Sequence, residues 1–466
     1  MSDKKFRIEK DSMGEMQVPA DALWGASTQR AVENFPVSGI RFSRPFIRSL
    51  GMVKLACVET NMALGKLPKE IGDPIARACT EVMEGELDDH FVLDIFQTGS
   101  GTSTNMNANE VIANRANELM GISRGDKGKV HPNDHVNMGQ SSNDVIPTCI
   151  NVAALEQSEK LLIPALKHMH SVLEKKAAEF DDIVKIGRTH LQDATPVRLG
   201  QQFGGYASMI SHAIRRLENA RTFASELAIG GTAVGTGLNT PPEFAPGVVE
   251  RLSAKTGIKF REAENHFEAQ SARDSNVELS GVMKTIAVGL VKIANDMRWL
   301  GSGPRCGIGE LLIPPVQPGS SIMPGKVNPV MAEAVLQVCA QIFGNDASIA
   351  FGGQSGVFEL NVMMPVIAHN LLESITLAAN VTRLFADRCL IGIQADRERC
   401  ESLVEQSLAM VTALNPKIGY DRAAQVAKRA YQEGRTVREV CVEMNVLPAD
   451  ELEEALNAEK MTDNRK

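Results

Sequence analysis

The chain has 466 residues, of which 43% are apolar and 23% charged, and its formal net charge is −8. This size and apolar content predict a large folded core and several structural units. The acidic balance and the lack of a basic block argue against a nucleic-acid partner. The most apolar stretch, Gly281 to Ala294, contains Lys284 and Lys292 and is too interrupted to cross a bilayer.

The 8 cysteines stand singly along the chain, without any Cys-x-x-Cys pair. This spacing is typical of reduced, buried thiols and not of a disulfide framework. The first residues, MSDKKFRIEKDSMGEM, carry charge but no apolar segment that would resemble a signal peptide. We therefore predict a cytoplasmic protein that binds neither membranes nor nucleic acids.

Two polar segments precede helical patterns in the first third of the chain, Thr98–Asn107 (TGSGTSTNMN) and Gln140–Asp144 (QSSND). Helix N-termini present free N–H groups and a positive dipole end, so hydroxyls and amides gathered there suit a carboxylate or a phosphate. Plain N-capping is the more ordinary explanation for either segment taken alone. Asn107 and Glu110 are spaced like a capping pair.

Clusters of Gly and Pro predict four loops. These loops are Pro36–Pro45, Gly121–Pro132, Gly230–Pro246 and Gly301–Pro329. His131 and His135 have the spacing of metal ligands, but Pro132 separates them and no further ligand set accompanies them, so we predict no metal. The glycine-rich Gly230–Gly237 lacks the Gly-Lys-Ser/Thr ending of a phosphate loop, and we interpret it as a connection between helices.

Apolar side chains repeat with helical spacing in the middle of the chain. The longest repeat is Leu279, Met283, Ile286, Leu290, Ile293, Met297 and Leu300. Similar patterns include Leu162, Leu166, Met169, Leu173 and Ala177, and the stretch from Val362 to Phe385. With aromatic residues at only 5%, strands are not expected, and the fold class predicted is all-α with a long central helical bundle. Such apolar stripes favour oligomerisation, although one chain could also cover its own bundle.

Two further polar segments contain ionisable residues. Gly187–Gln192 reads GRTHLQ, and Pro318–Pro329 reads PGSSIMPGKVNP. The second segment cannot be helical at its start, and a helix is predicted to resume at Met331. A loop of this kind inside a helical protein is often functional. Lys326 supplies its positive charge, and Asn328 adds a neutral donor.

The segment GSSIMPGKVNP resembles the signature of the fumarase/aspartase superfamily of lyases. Further stretches resemble the same family in the same order, namely TGSGTSTNMN, HPNDHVNMGQSSND, IGRTHLQDATPV, IGGTAVGTGLN and GNDASIAFGG. Within the superfamily the chain is most similar to class II fumarases, the iron-free enzymes of the tricarboxylic acid cycle that interconvert fumarate and L-malate. Thr189-His190 and Pro324-Gly325-Lys326 are fumarase-like, whereas Thr104 and His135 are aspartase-like.

The resemblance implies the residues of an active site without metal or organic cofactor. The catalytic residues would be His190, Ser320, Glu333, Lys326 and Asn328. The substrate-binding residues would be Ser100, Gly101, Thr102, Ser141, Ser142, Asn143, Thr189, Ser321, Lys326, Val327 and Asn328. A second, peripheral dicarboxylate site would comprise His131, Pro132, Asn133 and Asp134.

The resemblance also implies a mechanism. Ser320 would remove the proton beside a carboxylate, Lys326 and Asn328 would stabilise the resulting charge, and His190, oriented by Glu333, would exchange a proton with the hydroxyl group. A helix-start carboxylate is an equally plausible interpretation of Glu333 from spacing alone.

The resemblance further implies three domains, 1–140, 141–390 and a small helical one, 391–466. It implies a homotetramer in which each active site combines residues of three subunits. The competing functions are aspartate ammonia-lyase, argininosuccinate or adenylosuccinate lyase and, from another class, an inactive helical scaffold. The joint presence of Ser320, Lys326, Asn328, His190 and Glu333 favours an enzyme, since a scaffold needs none of them.

Overall fold

The computed structural model describes residues 5–124, 126 and 128–462, and helices dominate this part of the chain. The helices are α1 Ala26–Asn34, α2 Arg44–Ala63, α3 Lys69–Glu84, α4 Thr102–Leu119, α5 Ser142–Gln157, α6 Ile163–Glu179, α7 Leu199–Ala224, α8 Phe244–Thr256, α9 His266–Ser271, α10 Asp274–Leu300, α11 Val330–Gly353, α12 Met364–Phe385, α13 Arg397–Gln406, α14 Asn415–Ile418, α15 Tyr420–Glu433, α16 Val437–Glu443 and α17 Ala449–Ala455. The all-α prediction is confirmed.

Strands occur only as short pairs among the described residues. They are β1 Phe6–Asp11, β2 Gly14–Pro19, β3 Val184–Thr189, β4 Gln192–Arg198, β5 Glu226–Leu227, β6 Arg261–Glu262, β7 Leu311–Leu312, β8 Gly356–Val357, β9 Leu360–Asn361 and β10 Gln394–Ala395. The pairs β1–β2, β3–β4, β7–β10 and β8–β9 are antiparallel, and β5–β6 is parallel. The largest departure from an all-helical chain is therefore the β3–β4 hairpin, which the sequence did not predict.

The chain divides into two compact units. The first comprises 1–164, 215–287 and 340–379, and the second comprises 165–214, 288–339 and 380–466. Several unit boundaries fall within long helices, including α7, α10, α11 and α12. The division into three domains, 1–140, 141–390 and 391–466, stays a prediction.

In the first unit, α2 packs against α3, α5 and α8. Fourteen of its twenty residues are buried, which explains why this helix has apolar side chains on most of its surface. In the second unit, the shorter C-terminal helices surround a core of Val404, Leu414, Val426 and Val440, to which Ile186 of the β3–β4 hairpin contributes.

The predicted apolar repeat from Leu279 to Leu300 lies on α10, and each of its seven members is at most 5% exposed. The helical predictions around Leu162–Ala177 and Val362–Phe385 correspond to α6 and α12. The loop prediction Gly301–Pro329 is interrupted only by β7, and α11 begins at Val330, one residue before the predicted Met331. Residues 125 and 127 of the predicted loop Gly121–Pro132 lie outside the described residues.

Two loop predictions extend too far. Pro45 lies in the first turn of α2 and Pro246 in the first turn of α8, because proline at a helix start sacrifices no intrahelical hydrogen bond. Seven of the eight cysteines are buried and all eight are free thiols, as the spacing predicts. No helix in the described part of the chain is long and apolar enough to span a membrane.

Candidate active site

A chain of hydroxyl groups connects two helix starts in the first unit. Ser100 Oγ lies 2.6 Å from Thr102 Oγ1, which lies 2.7 Å from Ser142 Oγ. Thr102 is the first residue of α4 and Ser142 the first of α5, so these hydroxyls lie beside the free N–H groups of both N-termini. The arrangement concentrates neutral donors and two positive dipole ends, as a carboxylate group requires.

The start of α4 depends on Gly101. Its φ of 71° is in the left-handed region, and a Cβ there would lie 2.9 Å from the side chain of Ile146. Glycine alone combines that backbone conformation with the close approach of α5. Gly101 therefore sets the spacing between the two helix starts and needs no side chain of its own.

Ser141 caps α5 in a capping box. Its hydroxyl accepts from the Asn143 backbone N–H at 3.2 Å, and the Asp144 carboxylate accepts from the Ser141 N–H at 2.9 Å. The amide of Asn143 donates to the carbonyl of Ala233 at 2.8 Å, which attaches the glycine-rich loop to the same helix start. The predicted set Ser100, Gly101, Thr102, Ser141, Ser142 and Asn143 is thus one contiguous cluster.

Two buried charges that the sequence did not predict as functional lie behind this cluster. Asp144 is fully buried and also accepts the N–H groups of Gly230 and Thr232, at 3.1 and 2.9 Å. Burial raises the pKa of Asp144 to about 6, against the lowering effect of these N–H donors. Lys54 of α2 is also fully buried, and burial lowers its pKa to about 8. A lysine within the apolar run Gly51–Val58 was the available sequence signal.

Glu110 and Asn107 do not form the predicted cap of α4, because that helix already begins at Thr102. Both residues lie inside α4 and are buried. The Glu110 carboxylate instead accepts the backbone N–H groups of Gly25, Ser27 and Thr28, and thereby caps α1. The capping-pair prediction was wrong because the left-handed Gly101 caps α4 six residues before Asn107, the cap that the spacing suggested.

In the second unit, Thr189 and His190 lie at the end of the β3–β4 hairpin. Thr189 pairs with Gln192, so His190 and Leu191 form a two-residue turn, with φ of 56° and 59°. Two positive φ values match the hairpin turn whose twist suits the flanking strands, although non-glycine residues adopt them rarely. The turn presents the imidazole of His190 to solvent.

The hairpin is anchored just before this turn by buried charges. Arg188 forms two hydrogen bonds with the Glu310 carboxylate, at 2.9 and 3.0 Å, and Lys185 lies 3.2 Å from the same carboxylate. The side chain of Glu310 is 0% exposed. Burial, and the nearby Arg188, lower the pKa of Lys185, whereas Glu310 opposes that shift. Since removing one partner would leave a charge uncompensated, this pairing holds strand β3 in place up to the turn.

The predicted catalytic loop closes on itself in the second unit. The Gly319 N–H donates to the Lys326 carbonyl at 2.9 Å, and the Asn328 amide donates to the Gly319 carbonyl at 2.6 Å. Inside this ring, Ser320 Oγ accepts the backbone N–H groups of Ile322 and Met323, at 3.2 and 2.9 Å. The Ser320 oxygen therefore has two donors aimed at it, which favours a negative charge there.

The rest of this loop is open to solvent. Ser321, Lys326 and Val327 are exposed, while Ser320 and Asn328 are half-buried. Glu333 lies in the first turn of α11, where its carboxylate also favours the helix dipole. Within the described residues of the single chain, no hydrogen bond joins Glu333 to His190.

The peripheral segment is compact but exposed. The ring of His131 accepts from the Asp134 N–H at 3.2 Å, and the ring of His135 accepts from the His131 N–H at 2.9 Å. Pro132–Val136 form a single helical turn with His131 as its cap. His135 is thus engaged with the backbone of its own segment. No group of three or more His, Cys, Asp or Glu side chains suited to a metal occurs among the described residues.

The chain matches two lyase family profiles. Residues 14–344 match the family described as Lyase, and residues 410–463 match the one described as Fumarase C C-terminus. A fumarate hydratase class II from Halobacterium salinarum is 56% identical over 457 residues, which cover 98% of this chain and 97% of that relative. One from Caulobacter vibrioides is 52% identical over 455 residues, covering 98% of each. The chain belongs to the class II fumarase family.

The fold of this class II fumarase agrees with solved structures. A crystal structure of recombinant class II fumarase from Schistosoma mansoni superposes with a TM-score of 0.97 at 40% identity, covering 99% of this chain and all of that one. The aspartase-like Thr104 is not part of the hydroxyl chain, because it is buried and donates to Gln97 Oε1 at 2.8 Å. The residue therefore says little about the substrate.

Proposed function

We propose that this lyase catalyses the reversible hydration of fumarate to L-malate, with Ser320 as the base that acts on carbon. The observation that carries the proposal is the pair of backbone N–H groups directed at Ser320 Oγ. A free serine hydroxyl is a very weak base, and preformed donors around the oxygen stabilise the alkoxide that a base requires. Full-length similarity to fumarate hydratases supports the same reaction.

When malate is dehydrated, the Ser320 alkoxide takes a proton from the methylene carbon of malate. The electron pair left on that carbon delocalises into the neighbouring carboxylate, which then carries two negative charges. Lys326 and Asn328, in the same closed loop, are assigned to that carboxylate as charged and neutral donors. Removing a single donor of this type typically lowers turnover by about a hundred- to a thousandfold.

The hydroxyl group on the adjacent carbon leaves with a proton from His190, so that water and the double bond form together. Hydration runs the same proton transfers in reverse. The exposed hairpin turn is an appropriate support for such a group, because the buried Arg188–Glu310 pairing holds its base. Glu333 is assigned to orient the imidazole. General acid–base assistance of this kind contributes about a hundred- to ten-thousandfold.

The hydroxyl cluster of Ser100, Thr102, Ser141, Ser142 and Asn143 is assigned to the substrate carboxylates, together with Thr189 and Ser321. The two helix N-termini converge on hydroxyls 2.7 Å apart, so together they suit one carboxylate group held in a fixed position. Selectivity thus depends on geometry as well as on charge.

These residues are proposed to meet in a homotetramer, each active site combining three subunits. Exposed apolar side chains on the long helices support association, among them Val288 and Trp299 of α10 and Leu384 of α12, at 57%, 52% and 41% exposure. The segment His131–Asp134 is proposed as the peripheral dicarboxylate site. Free, mostly buried thiols fit the reducing environment of the cytoplasm, which is the location we propose.

Ser320→Ala tests the assignment of the base. The variant should lose the exchange of the malate methylene proton with deuterated solvent, measured by NMR, while its circular dichroism and oligomeric state stay those of the wild type. Ser321→Ala is the matched control, because that hydroxyl lies in the same loop but is exposed, and its exchange should fall much less. Exchange that persists in Ser320→Ala would show that another group is the base.

A further inference from the structure

The buried ammonium of Lys54 lies where it can control the carboxylate-binding helix start. Its Nζ donates to Asn137 Oδ1 at 3.0 Å and to Gln140 Oε1 at 2.9 Å. Gln140 directly precedes Ser141, the cap of α5. One side chain of α2 therefore holds the turn that leads into the hydroxyl cluster.

The same turn is tied to α4 through Asn137. Its Oδ1 also accepts from the amides of Asn105 and Asn109, both at 3.2 Å, and its own amide donates to the Gln140 carbonyl at 3.1 Å. Through Asn137, the Lys54 ammonium thus links α2 to α4 and to the residues before α5. Both helices that present the hydroxyls, α4 and α5, are held relative to that ammonium.

Charge gives Lys54 a second effect on the same helix start. Asp144, in the first turn of α5, interacts electrostatically with the ammonium, and both side chains are fully buried. Without the ammonium, the Asp144 carboxylate would keep its three backbone N–H donors but lose this counter-charge, behind hydroxyls assigned to a dianion. Such a buried negative charge is only weakly screened and would repel the substrate.

We propose that Lys54 is a positioning residue for substrate binding, which fixes the Asn137–Gln140 turn and compensates Asp144 behind the carboxylate-binding hydroxyls. The proposal rests on the proposed function, since it assigns a role in the same reaction. Lys54 touches neither substrate nor reacting atoms, so its effect should fall on the binding of the dicarboxylate and much less on the chemical step.

Lys54→Met is the direct test, because methionine fills a similar volume without charge or donors. The expected result is an increase in KM for fumarate of about tenfold or more, with kcat within about threefold of the wild type, since positioning of a carboxylate changes both ground and transition states. Lys176→Met is the matched control. Lys176 is 8% exposed and its Nζ donates to the Ile393 carbonyl at 2.8 Å, but it lies in the second unit and outside the proposed machinery. Its KM should stay at the wild-type value.

The pH dependence of KM gives a readout that a purely structural role would not change. The titratable groups that interact electrostatically with Lys54 are Cys57, Cys79, Cys149 and Asp144. Burial raises the pKa of Cys79 and Cys149 to about 12 and that of Cys57 well above its usual value, so these thiols stay neutral near pH 8. Asp144 is already ionised there. In the wild type, KM should rise between pH 7 and pH 9 as the ammonium loses its proton, and Lys54→Met should lack this rise.

The outcomes separate this inference from the proposed function. A wild-type protein that does not hydrate fumarate would refute the proposed function itself. An active wild type together with unchanged KM in a folded Lys54→Met would overturn the role of Lys54 alone, as would a loss confined to kcat. If Lys54→Met does not fold, Gln140→Leu decides, since it removes an acceptor of the ammonium beside Ser141. A severalfold higher KM in that variant supports the inference, and an unchanged KM overturns it.

Discussion

Gly319→Ala should inactivate the enzyme without unfolding it. A Cβ at Gly319 would lie 2.3 Å from the Lys326 carbonyl oxygen and 2.9 Å from the Asn328 backbone nitrogen. Both atoms are backbone, so to reach ordinary contact the carbonyl oxygen must retreat by roughly 1 Å and the nitrogen by roughly 0.5 Å. That shift would open the hydrogen-bonded ring that holds the donors around Ser320.

The expected effect follows from that displacement. A misplacement of about 1 Å at a catalytic group lowers turnover by on the order of a hundredfold. The loop itself is largely exposed, so the melting temperature should change by no more than a few degrees. Turnover is measured from the ultraviolet absorbance of fumarate, and stability from thermal unfolding.

Gly65→Ala is the matched control for this substitution. Gly65 follows α2, has φ of 67°, and has no atom within 4 Å of the Cβ position. Alanine there should reduce stability through backbone strain of about 1 kcal/mol and leave turnover unchanged. Near-normal turnover in Gly319→Ala would refute the claim that the closed loop shapes the base.

Three further predictions concern other parts of the molecule. His190→Asn should lower turnover by at least about a hundredfold with folding intact, as measured by kcat and circular dichroism, and near-normal activity would remove His190 from the mechanism. Asp144, whose folded pKa is raised to about 6 from 3.8, stabilises the fold below pH 4 and loses about 3 kcal/mol of that contribution as pH rises through 6. Urea unfolding of Asp144→Asn should lack this dependence, and parallel curves for both proteins would contradict it. Light scattering should find a tetramer, and an active monomer would refute the shared active site.

Helical periodicity predicted the long helices that bury one stripe of apolar side chains. The Leu279–Leu300 repeat predicted a helix correctly because each of its side chains is packed in the core, where burial requires an apolar residue. N-capping within Gln140–Asp144 was recognisable because the interaction of Ser141 with Asp144 is local in sequence. The loop before Val330 was predicted because glycine and proline exclude a helix there.

Features that depend on distant partners could not be predicted in this way. Glu110 caps α1, 82 to 85 residues earlier in the chain, although its spacing from Asn107 suggested a local cap. The β3–β4 hairpin escaped prediction because its turn has no glycine, and His190 takes a backbone conformation that histidine rarely adopts. Lys54 gave only a weak signal, since a single lysine in an apolar run has the same pattern whether it is buried or extends to solvent.

The most direct test of the central claim is the loss of fumarate absorbance on adding purified, chelator-treated protein, once in ammonia-free buffer and once with ammonium, with the products identified. We predict that fumarate is consumed without ammonium and that L-malate is formed. Consumption only with ammonium, yielding aspartate, would contradict the assignment of a hydratase and of His190 to the water side of the reaction.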